Sequence, residues 1–339
     1  YGTEVLSKKF KKFNDDVVRL SVTILAETNP RIFEPYVSSL IKMNDDQINK
    51  AVLRSIDPTW RERTSKQIET QFAAEKDSEI KECVDHSLSL LDFTGIDKLK
   101  ATELNKLNKS TKFGDKIKLV KYLIKHPETK KIEEYVKDSL KSEHRIIVGA
   151  AIRLAVNIKS DILISELLNL LKSPAYYHLS TAALLDVGEK TLPYLEKMFD
   201  ETENEDILLK IIEIYAKMGS GNAKSLLVKQ INYPSRKIQL AVIWALFYCK
   251  YQANEDEEKL IKDKILNVTD NLLTILVSIS DIKSEKNTLK LFLALDQERE
   301  TNYELLFNLL SFLHEPRIIN LIKKNIIGKN TIYALELID

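Results

Sequence analysis

The chain has 339 residues, with 51 lysines and arginines against 50 aspartates and glutamates, so its net charge is +1. That near balance gives no support to whole-surface nucleic-acid binding, which wants clustered positive charge. Two cysteines without metal-ligand spacing point to a reducing compartment rather than a disulfide framework, and 44% hydrophobic residues with only 8 glycines and 8 prolines indicate a packed, mostly helical protein with short connections.

Leu6 to Phe13 is basic and amphipathic. Asn14 or Asp15 is placed to cap a helix running through Val17, Leu20, Ile24 and Leu25. Helices are then expected over Ile32 to Met43, ending before Asn44, and over Gln47 to Ile56, stopping at Asp57-Pro58. From Trp60 to about Leu107 the pattern degrades, with a polar helix through Ile68 and Phe72 and another over Ile80 to Leu91. Lysine then dominates: residues 97–131 hold 11 lysines against 4 acids. Regular helices resume at Asp115 to Lys125 and at Lys131 to Leu140.

The stretch from His178 to Lys250 contains two consecutive copies of a helical hairpin and the start of a third. Aligned on Gly188 and Gly219, both copies have apolar residues four and one positions before the glycine: Leu184 and Val187, then Tyr215 and Met218. Both have apolar residues four and seven positions after it: Leu192 and Leu195, then Ala223 and Leu226. That is helical spacing on either side of a tight turn. Anchors at Lys159, Gly188, Gly219 and Lys250 are 29, 31 and 31 residues apart, and His314 follows after 64, read as two periods. Pro174 and Pro234 fall where one repeat turns into the next. A period of about 30 residues with two helices per unit marks a stacked helical solenoid. The expected fold is therefore all-α, an α-α superhelix, divided into N-terminal repeats (1–60), an irregular helical segment (61–112) and one continuous solenoid (113–339).

The apolar run Ala241 to Cys249 is nine residues, whereas a membrane span needs about 20. No membrane-crossing segment is therefore expected. No signal peptide is recognisable. A chain beginning at Tyr1 rather than Met is expected to be a piece of something longer.

No catalytic constellation stands out, and no catalytic, cofactor or metal site is expected. The five histidines are isolated. Cys83, Asp85 and His86 lie close in sequence, but on a helix residues 83 and 85 point in different directions. Gly219-Ser-Gly-Asn222 lacks the strand and downstream acid of a dinucleotide site. The acidic runs at 201–206 and 254–258 suit the first turns of helices. Tyr176-Tyr177-His178 and Trp60-Arg61 suit packing between repeats better than ligand binding. The lysine run is the best partner-binding candidate, through Lys98, Lys106, Lys109, Lys112, Lys116 and Lys121.

Ala182-Ala-Leu-Leu-Asp-Val-Gly188, Ile212-Glu-Ile-Tyr-Ala-Lys-Met-Gly219 and Ala241-Val-Ile-Trp-Ala-Leu246 resemble HEAT-like repeats, well over residues 143–339 and weakly over 14–57. The resemblance implies stacked antiparallel helix pairs and a concave surface that holds partners. Asn29-Pro-Arg-Ile-Phe-Glu-Pro35, Trp60-Arg-Glu-Arg-Thr64 and Leu185-Asp-Val-Gly-Glu-Lys-Thr-Leu-Pro-Tyr-Leu195 further resemble the HEAT-repeat region of bacterial ATP/ADP-translocase-like proteins. That implies a non-enzymatic cytoplasmic module, tethered to the inner membrane through a domain absent here, with a protein or another domain of the same polypeptide as partner. None of the carrier's transport residues has a counterpart in this chain. The alternative is a nucleic-acid-binding HEAT-like protein, similar to certain bacterial DNA glycosylases, which uses a basic groove.

Overall fold

The computed structural model describes residues 14–28, 34–43, 45–60, 62–282 and 289–327. Among these residues every regular element is a helix. The basic stretch Leu6 to Phe13 lies outside them. The chain forms two compact units, Tyr1–Leu195 and Glu196–Asp339.

The first unit begins with α1 (Asp15–Thr28), capped by Asn14, whose Oδ1 accepts from the Val17 amide at 3.0 Å. Its buried stripe is Val18, Val22 and Leu25; of the expected Val17, Leu20, Ile24 and Leu25 only Leu25 is buried, and the other three are exposed. Both sets have helical spacing, and contact with α3 selects the first. The expected helix to Met43 is broken: a short α2 (Val37–Leu40) lies between two 3-10 turns, with Pro35 at its head and two serines inside it. There follow α3 (Asp46–Arg54), α4 (Glu62–Gln71) and α5 (Ser78–Leu91). Buried side chains of α1 to α5 form one apolar cluster that includes Trp60.

Asp45 joins two of these helices. It caps α3 by accepting from the Ile48 amide at 2.9 Å, and it accepts from Arg19 of α1 at 2.7 Å. The Arg19 guanidinium first, and the Ile48 amide second, hold its carboxyl below the usual carboxylate range. A depressed acid stabilises the fold above its unfolded value of about 3.9, and that stabilisation is lost as pH falls through the folded value. Asp45→Ala is therefore expected to cost about 1–2 kcal/mol at pH 7, and much less near pH 2. Urea denaturation at the two pH values measures the difference.

The lysine-rich segment supplies α6 (Ala101–Lys109), which the sequence pattern did not announce, and then α7 (Phe113–Lys125). Paired helices follow: α8 (Ile132–Leu140), α9 (Arg145–Ile158), α10 (Asp161–Leu170), α11 (Tyr177–Val187) and α12 (Leu192–Glu201), the last crossing the division between units. In the first unit α9 packs on both α7 and α11, and α8 on α10. The first helix, α1, also packs on α11.

The second unit continues with α13 (Glu205–Met218), α14 (Gly221–Lys229), α15 (Arg236–Tyr248), α16 (Glu255–Ile282), α17 (Leu289–Leu313) and α18 (Pro316–Ile327). Here α15 packs on both α13 and α17, the same neighbour-to-neighbour stacking. Pro174 and Pro234 lie in the turns before α11 and α15, and Pro316 occupies the first position of α18, where its missing N–H costs nothing.

The repeat anchors are backbone features. Lys159 and Lys250 are the two non-glycine residues with positive φ among the described residues, at 54° and 53°, and Gly219 matches them at 59°. Gly188 has φ 83° with ψ −150°, a region essentially closed to side chains. Each anchor reverses the chain after the first helix of a pair. Lys159→Gly and Lys250→Gly are expected to stabilise by about 0.5–1 kcal/mol each, because relief of left-handed strain exceeds the freedom that glycine adds to the unfolded chain. Gly188→Ala should destabilise by about 1–3 kcal/mol, and thermal melts of the three variants test the signs.

His314 does not share the positive φ, and it is one pair rather than two beyond Lys250. The 64-residue interval arises because α16 and α17, with 28 and 25 residues, have each grown to about twice the usual helix length. The buried positions Ile261, Lys264, Val268, Leu272 and Ile279 recur at three- and four-residue steps or their sum, so the pattern reads as short repeats although the helix does not stop.

Candidate functional site

The lysine run divides into two groups by depth. Along α7 the buried stripe includes Ile117, Val120 and Leu123, and Lys116 and Lys121 adjoin it. Lys116 Nζ donates to the Asn108 carbonyl at 2.5 Å, in the last turn of α6. Lys121 Nζ donates to the Ser89 and Asp92 carbonyls at 2.6 and 2.7 Å, and lies 5.7 Å from the centre of the Phe93 ring. Both ammonium groups thus close the C-terminal end of a preceding helix, where carbonyls lack intrahelical partners and the dipole favours a cation. Burial pulls both pKa values below the usual lysine range, against the attraction of Asp138 and Asp92 respectively. Lys98, Lys106, Lys109 and Lys112 are exposed and have no acidic partner among the described residues.

The other motifs serve the fold. Ser220 caps α14 through the Ala223 amide, directly after Gly219. Asn204 and Asn254 cap α13 and α16 within the two acidic runs. Cys83 packs beside the apolar cluster of α1 to α5, while His86 stacks on Phe113 with ring centres 6.4 Å apart. Tyr177 and His178 lie ring against ring at 3.7 Å at the start of α11.

Two features were not anticipated from the sequence. The first is a cavity of about 370 Å³ between α1, α3, α9 and α11, lined by Arg54, Asp57, Arg145, Gly149 and Arg153 among others. Arg153 and Asp57 form an ion pair at 2.5 Å, with side chains only 11% and 9% exposed. Asp57 also accepts from the Thr59 amide at 2.8 Å and its hydroxyl at 2.6 Å, and Arg153 donates to the same hydroxyl. In the sequence Asp57-Pro58 reads only as a helix stop. The available hint was Arg153 itself, a cation amid the apolar run of α9.

The second feature is the distal part of the α16–α17 hairpin. Leu266, Leu273, Val277, Leu289, Leu291 and Leu293 are each 52–69% exposed, and no described residue of α17 before Asn302 is buried. By length and composition α16 is apolar enough to cross a membrane, with 17% of its apolar window buried. Counting uninterrupted apolar runs missed it because asparagine, threonine, serine and aspartate are interspersed along it.

No family model matches the chain, and no curated protein matches it. Among solved structures, the crystal structure of an engineered protein aligns with 100% of this chain and 99% of its own, at 15% identity and a TM-score of 0.28. Among its described residues the chain is an all-α protein, with helices packed on their neighbours within each unit.

Proposed function

We propose that the chain is a non-catalytic interaction module of HEAT-like pairs that holds a protein partner or another domain of its own polypeptide. The observation that supports this reading is the set of exposed leucines and the valine on α16 and α17. Leu266, Leu273 and Val277 fall on one face of α16 at seven- and four-residue spacing, all exposed, and an exposed apolar helix face is a feature of interaction sites. The resemblance over residues 29–35, 60–64 and 185–195 extends the proposal to a cytoplasmic module of a membrane-linked, nucleotide-carrier-like protein.

A photo-reactive side chain placed at Leu273 or Leu291 of the full-length protein in its native cells is expected to give a discrete protein adduct or an intrachain cross-link. The same group at exposed Lys259 should give none. Absence of adducts from the two hairpin positions rejects the module reading. A complete coding sequence without a membrane domain removes the carrier link alone.

Exposed Lys98, Lys106, Lys109 and Lys112 support a second reading, nucleic-acid binding through a basic surface. It requires salt-sensitive retention on duplex DNA. No retention at about 50 mM salt disposes of it, because phosphate contacts are strongest at low ionic strength.

A further inference from the structure

We propose that a small cavity between α15, α16 and α17 binds a carboxylate group, held by the Lys264 ammonium and the side-chain amides of Asn267 and Asn271. The cavity measures about 40 Å³, and Gln239, Lys264, Asn267 and Asn271 supply polar groups to its wall. Steps of three and four residues put Lys264, Asn267 and Asn271 on one face of α16, and all three line this one small space. Asn267 and Asn271 are exposed, so the cavity opens to solvent, and their amides have no hydrogen-bond partner among the described residues.

Lys264 interrupts the buried stripe of Ile261, Val268 and Leu272 and is itself only 9% exposed. Its ammonium donates to Gln239 Oε1 at 2.8 Å, and Gln239 is oriented in turn because its Nε2 donates to the Tyr233 carbonyl at 2.6 Å. An ammonium has three N–H donors, and no carboxylate pairs with this one among the described residues. A buried cation without a counter-charge is costly. Burial first, and the nearby Arg236 guanidinium second, pull the Lys264 pKa below the usual lysine range. Arg236 is itself taken by Glu298 at 2.5 Å, outside the lining, so it adds to the local field without gripping the ligand. One unmatched positive charge suits a monovalent anion. At about 10–15 Å³ for each water-sized atom the cavity holds about three, the number of heavy atoms in a carboxylate group. Its two oxygens accept from the ammonium and from an amide together, and such charge-assisted bonds are the strong ones. Neither Asp263 nor Asp270, the acids closest to these positions along α16, is part of the wall.

Acetate is the probe, its methyl signal read by saturation-transfer difference NMR with the full chain in chloride-free buffer. Acetamide, its neutral isostere, is the control. Acetate is expected to receive saturation and acetamide to receive none. Lys264→Met, which keeps the length of the side chain, should weaken acetate by about tenfold or more, the loss of one charged hydrogen bond. Asn271→Asp, at an exposed position, should weaken it as much by setting a second carboxylate beside the ammonium. Should Lys264→Met misfold, Asn271→Asp decides alone. N-acetylglutamic acid α-amide separates the two sources of the group. Binding as tight as that of acetate supports an acidic side chain of a partner protein, and exclusion with acetate still bound supports a free small carboxylate. The proposal is overturned if acetate receives no saturation, if acetamide receives as much, or if either folded variant binds acetate as the parent does. It is also overturned if an equal concentration of chloride removes the acetate signal, which would make the cavity a halide site.

Discussion

Asp57→Ala is expected to destabilise the first unit by about 3–5 kcal/mol, because it leaves the Arg153 guanidinium buried without its counter-charge. The carboxylate ties the end of α3 to α9 across 96 residues of sequence, and it also holds the Thr59 amide and hydroxyl. Asp57→Asn keeps an acceptor for the turn but removes the charge, so it should fall between parent and alanine variant. The double variant Asp57→Ala/Arg153→Met should recover a large share of the loss, since neither charge then remains inside. Urea titration of the four proteins gives the coupling directly. A double variant no more stable than Asp57→Ala would show that the turn contacts, and not the ion pair, carry the effect.

Phe312→Ala should cost the second unit about 3–5 kcal/mol. Phe312 is 1% exposed, and its ring meets Tyr251 edge-on with centres 5.3 Å apart. Around it the turn after α15 is fastened to α17. The Ala253 amide donates to the Phe312 carbonyl at 2.8 Å, and Gln252 Nε2 donates to the Ser311 carbonyl at 2.6 Å. Removing the ring therefore empties the point where one pair locks onto the next. Phe312→Leu, which leaves a smaller void, should cost markedly less. Calorimetry is the suitable readout, because the two units need not melt together. Equal losses for leucine and alanine would argue against a cavity as the cause.

The helices and corners were readable in the sequence because they depend on short-range chemistry. Around Gly188 and Gly219 every apolar residue used for the alignment is buried except Met218, which is half-buried. Lys159 and Lys250 occupy the same kind of corner although nothing in a lysine advertises a left-handed backbone. What failed was any inference that depended on a distant neighbour. The burial of Val18 and Val22 rather than Val17, Leu20 and Ile24 beside Leu25 on α1 is decided by α3. The depth of Lys116 and Lys121 was available from the phase of α7, since they adjoin Ile117 and Val120. The carbonyl ends they close, on other helices, were not. The cavity shares that origin, since its walls come from residues 23 to 179 and meet only once α1 folds back against α11.

The doubled hairpin has a consequence for how this kind of chain changes size. From Leu273 to Gln297 the described residues hide one side chain, Ile279, so that stretch contributes little to internal packing. Matched excisions of whole helical turns from the two arms would keep the phase of each helix. They would leave Lys250, Tyr251 and Phe312 where they are. Arm length is in that sense a free variable of the architecture, adjustable without redrawing the corners from which the arms spring.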